Sequence, residues 1–266
     1  MLQRGSAFKG YTIEATDGKV GTISDLLFDD QKWQLRWLVV DTGNWLNGRK
    51  VLIHPAALER PDSAGRAFVS KLTRAQLEAS PAIDTDAPVA MQMERNMGGY
   101  YGWSATYYDN GIAASPVLPM PPHGAEPRTE PRTEPGDAGP GPIDRHLRSI
   151  AEVSRYAIHA LDGNVGHFET FLVDDESWAI RYLVIDTMDW WMGKHVLVSP
   201  SSVTNIDWAQ RQISLDLTCY KIKGSPAWDD TGPIDRVYEQ VLRLYYGWGA
   251  LGDDTGAVTH VPVAAA

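Results

Sequence analysis

A chain of 266 residues, 43% apolar and 22% charged, is too rich in core-forming side chains for a disordered protein and long enough for two ordinary domains. Its net charge of −10 works against a phosphate backbone or an anionic lipid surface, so direct nucleic-acid binding is disfavoured and is not among the expected functions. The single cysteine, Cys219, rules out an intrachain disulfide and a cysteine-built zinc site, and no apolar run approaches the ~18 residues of a membrane span.

The first predicted strand is Tyr11-Thr-Ile13, closed into a hairpin by the Asp17-Gly18 turn. From Val20 to Phe28 the chain is β-capable, but its alternation breaks at Leu26-Leu27, which predicts a bulge in a strongly bent strand. Leu35-Arg-Trp-Leu-Val-Val-Asp41 is apolar on both faces and is therefore predicted as a central strand, with the core on one side and another element across the other. A loop with two glycines, Thr42 to Gly48, leads to the strand Lys50 to Ile53, and Ala67 to Leu72 supplies another. Thr73-Arg-Ala-Gln76 is a capping box that starts a short helix ended by Ser80-Pro81.

Everything from Tyr11 to Trp103 then returns. Asp17-Gly-Lys-Val-Gly21 reappears as Asp162-Gly-Asn-Val-Gly166, an offset of 162 − 17 = 145, and that offset holds without a gap through Tyr100-Tyr-Gly-Trp103 and Tyr245-Tyr-Gly-Trp248. A repeat this long means two globular units, because stacked arrays repeat every 20 to 50 residues or so. Each unit is predicted to end in an amphipathic helix. In the second, Ile234, Val237, Tyr238, Val241 and Tyr245 recur at helical spacing after Pro233. Between the units nine of the seventeen prolines fall within 116–143, an extended, non-packing linker.

The expected organisation is thus a first unit over 1–115, a proline-rich linker over 116–143 and a second unit over 144–266, the units pairing within the chain. Their surfaces differ: 12 basic and 13 acidic residues in the first unit give −1, whereas 10 and 17 in the second give −7.

Laid out in order, Asp17-Gly-Lys-Val-Gly21, Arg36-Trp-Leu-Val-Val-Asp-Thr42, Arg49-Lys-Val-Leu-Ile-His-Pro55 and Ile213-Ser-Leu-Asp-Leu-Thr218 resemble the PRC-barrel family over most of both copies. That family includes the cytoplasmic domain of the photosynthetic reaction centre H subunit and the C-terminal domain of bacterial ribosome maturation factors. The segment from Ser225-Pro-Ala-Trp-Asp229 to Trp248 is similar to the extension of bacterial PRC-barrel proteins. The resemblance implies a mainly β fold of two small, strongly bent β-barrels, each with short C-terminal helices, acting as a non-catalytic interaction module with a protein partner. It also implies the alternative of a peripheral component of a photosynthetic or other membrane electron-transfer complex. Met1 to Lys9 lacks the apolar core of a secretion signal, and the expected location is cytoplasmic.

No catalytic, cofactor or metal residues are expected. His54, His159, His167 and His195 align with Ser199, Glu14, Thr22 and Lys50, so no histidine is shared between the copies. Asp17, Asp162, Asp29 and Asp30 sit in turns. Cys219 follows a helix cap and is expected to be a buried structural thiol. The loop Asn44-Trp-Leu-Asn-Gly-Arg-Lys50 and its match Asp189-Trp-Trp-Met-Gly-Lys-His195 place indoles beside cations, the composition of binding hot spots; the alternative reading is that Trp45 and Trp190 plug the barrel end or the seam between the two units. Candidate partner-binding residues are therefore Trp45, Arg49, Trp190, Trp191 and Lys194. Tyr101 and Tyr246 of the Tyr-Tyr-Gly-Trp segments join them, since a phenol suits either barrel packing or a subunit contact.

Overall fold

The computed structural model describes residues 1–62, 64–79, 146–187, 194–229, 234 and 236–248. The linker 116–143 and the C-terminal extension of the first unit lie outside them. In the first half β1 (Leu2–Arg4) precedes the hairpin of β2 (Thr12–Ala15) and β3 (Gly18–Asp29). There follow β4 (Gln34–Asp41), β5 (Lys50–Ile53), β6 (Ala67–Val69) and the helix α1 (Arg74–Glu78). The second half runs β7 (Leu147–Ser149), α2 (Ile150–Val153), β8 (Ala157–Ala160), β9 (Gly163–Asp174), β10 (Ile180–Asp186) and β11 (His195–Val198). It ends with β12 (Val203–Asp207), β13 (Gln212–Leu215), α3 (Cys219–Lys223) and α4 (Arg236–Tyr246).

The predicted Asp17-Gly18 turn joins β2 to β3, and α1 begins with the full capping box: Thr73 accepts from the Gln76 backbone while Gln76 accepts from that of Thr73. In α3 Thr218 accepts from the Lys221 backbone alone, as its lysine dictates. The bend of β3 comes from register shifts against β4 between Ile23 and Asp25 and between Leu27 and Phe28, flanking the Leu26-Leu27 break in alternation. Gly21 and Gly166 mark the closest approach of that bend to the next strand. A Cβ there would lie 2.0 Å from the Asp41 carbonyl oxygen and 2.1 Å from that of Asp186, and no side chain could be admitted.

Two sheets result, ordered β5-β4-β3-β2-β6 and β11-β10-β9-β8-β13-β12. Most neighbours are antiparallel, while β2 with β6 and β8 with β13 are parallel. Among the described residues the ladders do not draw a closed barrel. β11 and β12 are the two ends of the second path, connected through the 3-10 turn Pro200–Ser202, with no ladder between them among the described residues.

Each sheet is completed by a strand of the other half. β1 pairs with β9, Leu2 opposite Asp174, and β7 pairs with β3, Leu147 opposite Asp29. Leu147 follows Leu2, and Asp174 follows Asp29, by 145 positions, so the exchange is reciprocal and in the same register. Leu35 N donates to Trp178 O at 2.9 Å and Ile180 N to Trp33 O at 2.7 Å, again positions 145 apart. The Ser6 amide donates to the Thr170 hydroxyl at 3.1 Å and the matched Ala151 amide to the Asp25 carboxylate at 3.2 Å. Side chains seal the crossing: Phe28 meets Phe171 edge to face at 4.8 Å, Trp33 meets Phe171 at 5.8 Å, and Trp178 lies against Phe8 and Phe68. The apolar core is accordingly continuous across the halves.

β4 and β10 are buried on both faces, as their composition requires. Over β10 the covering element is α4, where the Tyr182 hydroxyl donates to Glu239 at 2.7 Å and Tyr182 meets Trp248 at 6.2 Å. The helix presents part of the stripe its spacing predicts, since Ile234, Tyr238 and Tyr245 pack against the core. Leu242 and Tyr246 are buried, whereas Val237 and Val241 face solvent. The aromatic contacts around Tyr182 and Tyr246 are larger than anything the two valines could make, and they set the rotation. Among the described residues no helix is long and apolar enough to cross a membrane.

Candidate functional site

The first glycine loop holds a 3-10 turn, Gly43–Leu46, entered by the Asp41 carboxylate accepting the Gly43 amide and left through Asn47 at φ 54°. Trp45 is half-buried there, with the Arg74 guanidinium 4.4 Å from its ring centroid. Arg49 donates to the Glu78 carbonyl at 2.9 Å, at the C-terminus of α1. Lys194 does the matching task, its ammonium donating to the Lys223 and Ser225 carbonyls at 2.7 and 2.8 Å. Both cations thus satisfy carbonyls that a helix end leaves without partners. Trp190, Trp191 and Tyr101 lie outside the described residues. Tyr246 is buried at the end of α4, stacked on Trp248 at 4.3 Å, and burial pushes its hydroxyl pKa up.

The titratable candidates take structural roles. His54 Nδ1 accepts the Ala56 amide at 3.2 Å, capping the turn that the Ser199 hydroxyl caps in the second half. Burial, with Arg36 nearby, pushes the His54 pKa down to about 3, so the ring is neutral. Asp17 and Asp162 accept the Arg74 and Cys219 amides at 2.7 and 2.6 Å, tethering each hairpin turn to the start of a helix. Cys219 is only partly buried, contrary to the expected buried thiol. Burial and the neighbouring Asp162 carboxylate push its pKa up to about 11, which keeps it a thiol at neutral pH. His195 Nε2 stands 3.1 Å from Glu169, whose other oxygen pairs with Arg4 of the exchanged strand.

A feature that sequence reasoning missed lies where the halves meet. A groove of about 330 Å³ has Asp30, Gln31, Trp33 and His146 on one bank, and β12 from Val203 to Ile206 with Trp208 on the other. Asp30 accepts from Arg148 at 3.4 Å and lies 3.0 Å from His146, and the Arg148 guanidinium covers the Trp208 ring at 3.9 Å. Trp33 is held with φ 51° just after a turn whose Asp29 carboxylate accepts the Gln31 and Lys32 amides. The signal available in sequence was Trp33 after the acidic turn Asp29-Asp30, with Trp208 closing the other bank. Two indoles beside amide and hydroxyl side chains on an open bank suit binding of a chain segment.

A family model described as the PRC-barrel domain matches residues 3–73. No curated protein matches the chain.

Proposed function

We propose that this chain is a non-catalytic interaction module, in which two PRC-barrel repeats over 1–115 and 144–266, joined by the linker 116–143, pair as an intramolecular pseudo-dimer that docks a protein partner. The observation that carries this reading is the reciprocal strand exchange, β1 onto β9 and β7 onto β3 in one register. Such an exchange turns two small units into one rigid platform and leaves their loops to vary. The docking elements on this reading are the glycine loops after β4 and β10. With Arg49 and Lys194 engaged on helix carbonyls, the indoles Trp45, Trp190 and Trp191 are left as the anchors.

Affinity capture with the wild-type chain and with Trp45→Ala/Trp191→Ala, read by mass spectrometry, tests it. At least one protein captured by the wild type should be lost from the double variant while the thermal midpoint stays high. An identical captured set would remove the loops from the proposal.

A further inference from the structure

The two seams between the halves are not equivalent, and their difference lies in three matched positions. At one seam the segment ending in Asp62 carries Arg60 and Pro61, and Arg60 pairs across to Glu176. At the other seam the matched residues are Asn205, Ile206 and Gln31, and here the groove of about 330 Å³ stands open. Pro61 fits its place because Asp62 and Ala67 exchange both backbone hydrogen bonds, at 2.8 and 3.1 Å, which turns the backbone of residue 61 away from the ladder. β12 has the same register, Asp207 opposite Gln212 and Ile206 opposite Ile213, so the alternation of the ladder directs the Ile206 amide and carbonyl toward the groove. Among the described residues β12 is also the last strand of its sheet. One seam thus has the proline and ion pair by which sheet edges are blunted, and the other has an open edge between two indoles.

We infer that the groove binds an extended, basic segment of a partner protein by strand addition to β12. The peptide backbone pairs with Ile206, and an apolar side chain of the segment enters between Trp33 and Trp208. A strand edge recognises polypeptide backbone and no other common ligand class, because its donors and acceptors repeat at the peptide spacing. The sign of charge follows from the surroundings: the second half carries −7, and Arg148, the guanidinium beside the groove, is already engaged by the Asp30 carboxylate, so an acidic segment would meet net repulsion. This inference concerns a site separate from the glycine loops, and the two can fail independently.

The test pans a phage-displayed library of random dodecapeptides against the full chain and titrates the enriched peptides, fluorescently labelled, by anisotropy. Lysine- or arginine-bearing peptides with an apolar residue should bind saturably, and Gln31→Glu/Asn205→Arg/Ile206→Pro should weaken them at least tenfold. That triple variant installs residues that the first seam already accommodates, so the fold is expected to survive. Backbone hydrogen exchange in the unmutated chain gives an independent reading, with peptide slowing exchange at Ile206. Trp45→Ala/Trp191→Ala should leave the peptide affinity unchanged. No saturable binder, enrichment of acidic peptides, full affinity in the triple variant, or binding without slowed exchange at Ile206 each overturns the inference.

Discussion

His54 and Ser199 show how one position can be filled by two chemistries for the same local purpose. Each caps a 3-10 turn by accepting the amide two residues on, yet only the histidine titrates. With its pKa pushed from an ordinary 6.5 down to about 3 by burial and then by Arg36, His54 binds a proton in the unfolded chain long before it does in the fold. The sign follows: above pH 6.5 both states are neutral and nothing is lost, and as pH falls from 6.5 toward 3 the unfolded state gains a proton and stability drops. At pH 5 the loss is about 2 kcal/mol from this group alone. His54→Ser, which keeps the cap, should lower stability at pH 7.5 through the lost contact with Trp37, while its stability between pH 7.5 and 5 should fall by about 2 kcal/mol less than that of the wild type. Urea denaturation at the two pH values measures it; parallel falls would mean that the ring is protonated in the fold.

At the level of elements, the hairpin, the bent β3, the doubly covered β4 and the capping box were legible, because each is written in a few neighbouring residues. The exchange was not. Leu2-Gln-Arg4 has three residues and no turn signal, and its partner lies across the crossing in Leu172 to Asp174; no local pattern announces a pairing of that span. The face of α4 was legible only in part for a related reason: Ile234, Tyr238 and Tyr245 pack as the helical period predicts, but Val237 and Val241 fit that period and stay exposed, because Tyr182 of a distant strand decides which residues are covered. Of the site, the loop tryptophans stood out by composition and the groove did not, because its lining is drawn from both halves. Trp178 is the element-level test: it belongs to the second half yet packs on Phe8 and Phe68 of the first, at 6.0 and 5.9 Å. Trp178→Ala should cost about 3–5 kcal/mol and move circular dichroism and fluorescence transitions together. Two separated transitions in the wild type would show that the halves unfold independently.

For the molecule as a whole, the exchange means that the linker holds together halves that also hold each other. Residues 1–115 and 144–266 expressed as two chains should co-purify as a 1:1 complex through β1 on β9 and β7 on β3, with the shared aromatic core between them. Either half alone should expose Phe28, Phe171 and Trp178 and aggregate. Size-exclusion chromatography with light scattering distinguishes the cases, and two well-behaved separate monomers would show that the crossing contributes little.

The reciprocal crossing also bears on synthesis. Leu27 to Asp29 leave the ribosome early, but their neighbours Leu147 to Ser149 are made 120 residues later. At roughly 5–20 residues per second that is a wait of roughly 6–24 s, during which a nascent first half presents an unfilled β-strand to whatever is near. A chain built this way depends on its own C-terminal half arriving before another molecule does, and its yield should fall as elongation slows or as nascent chains crowd one another.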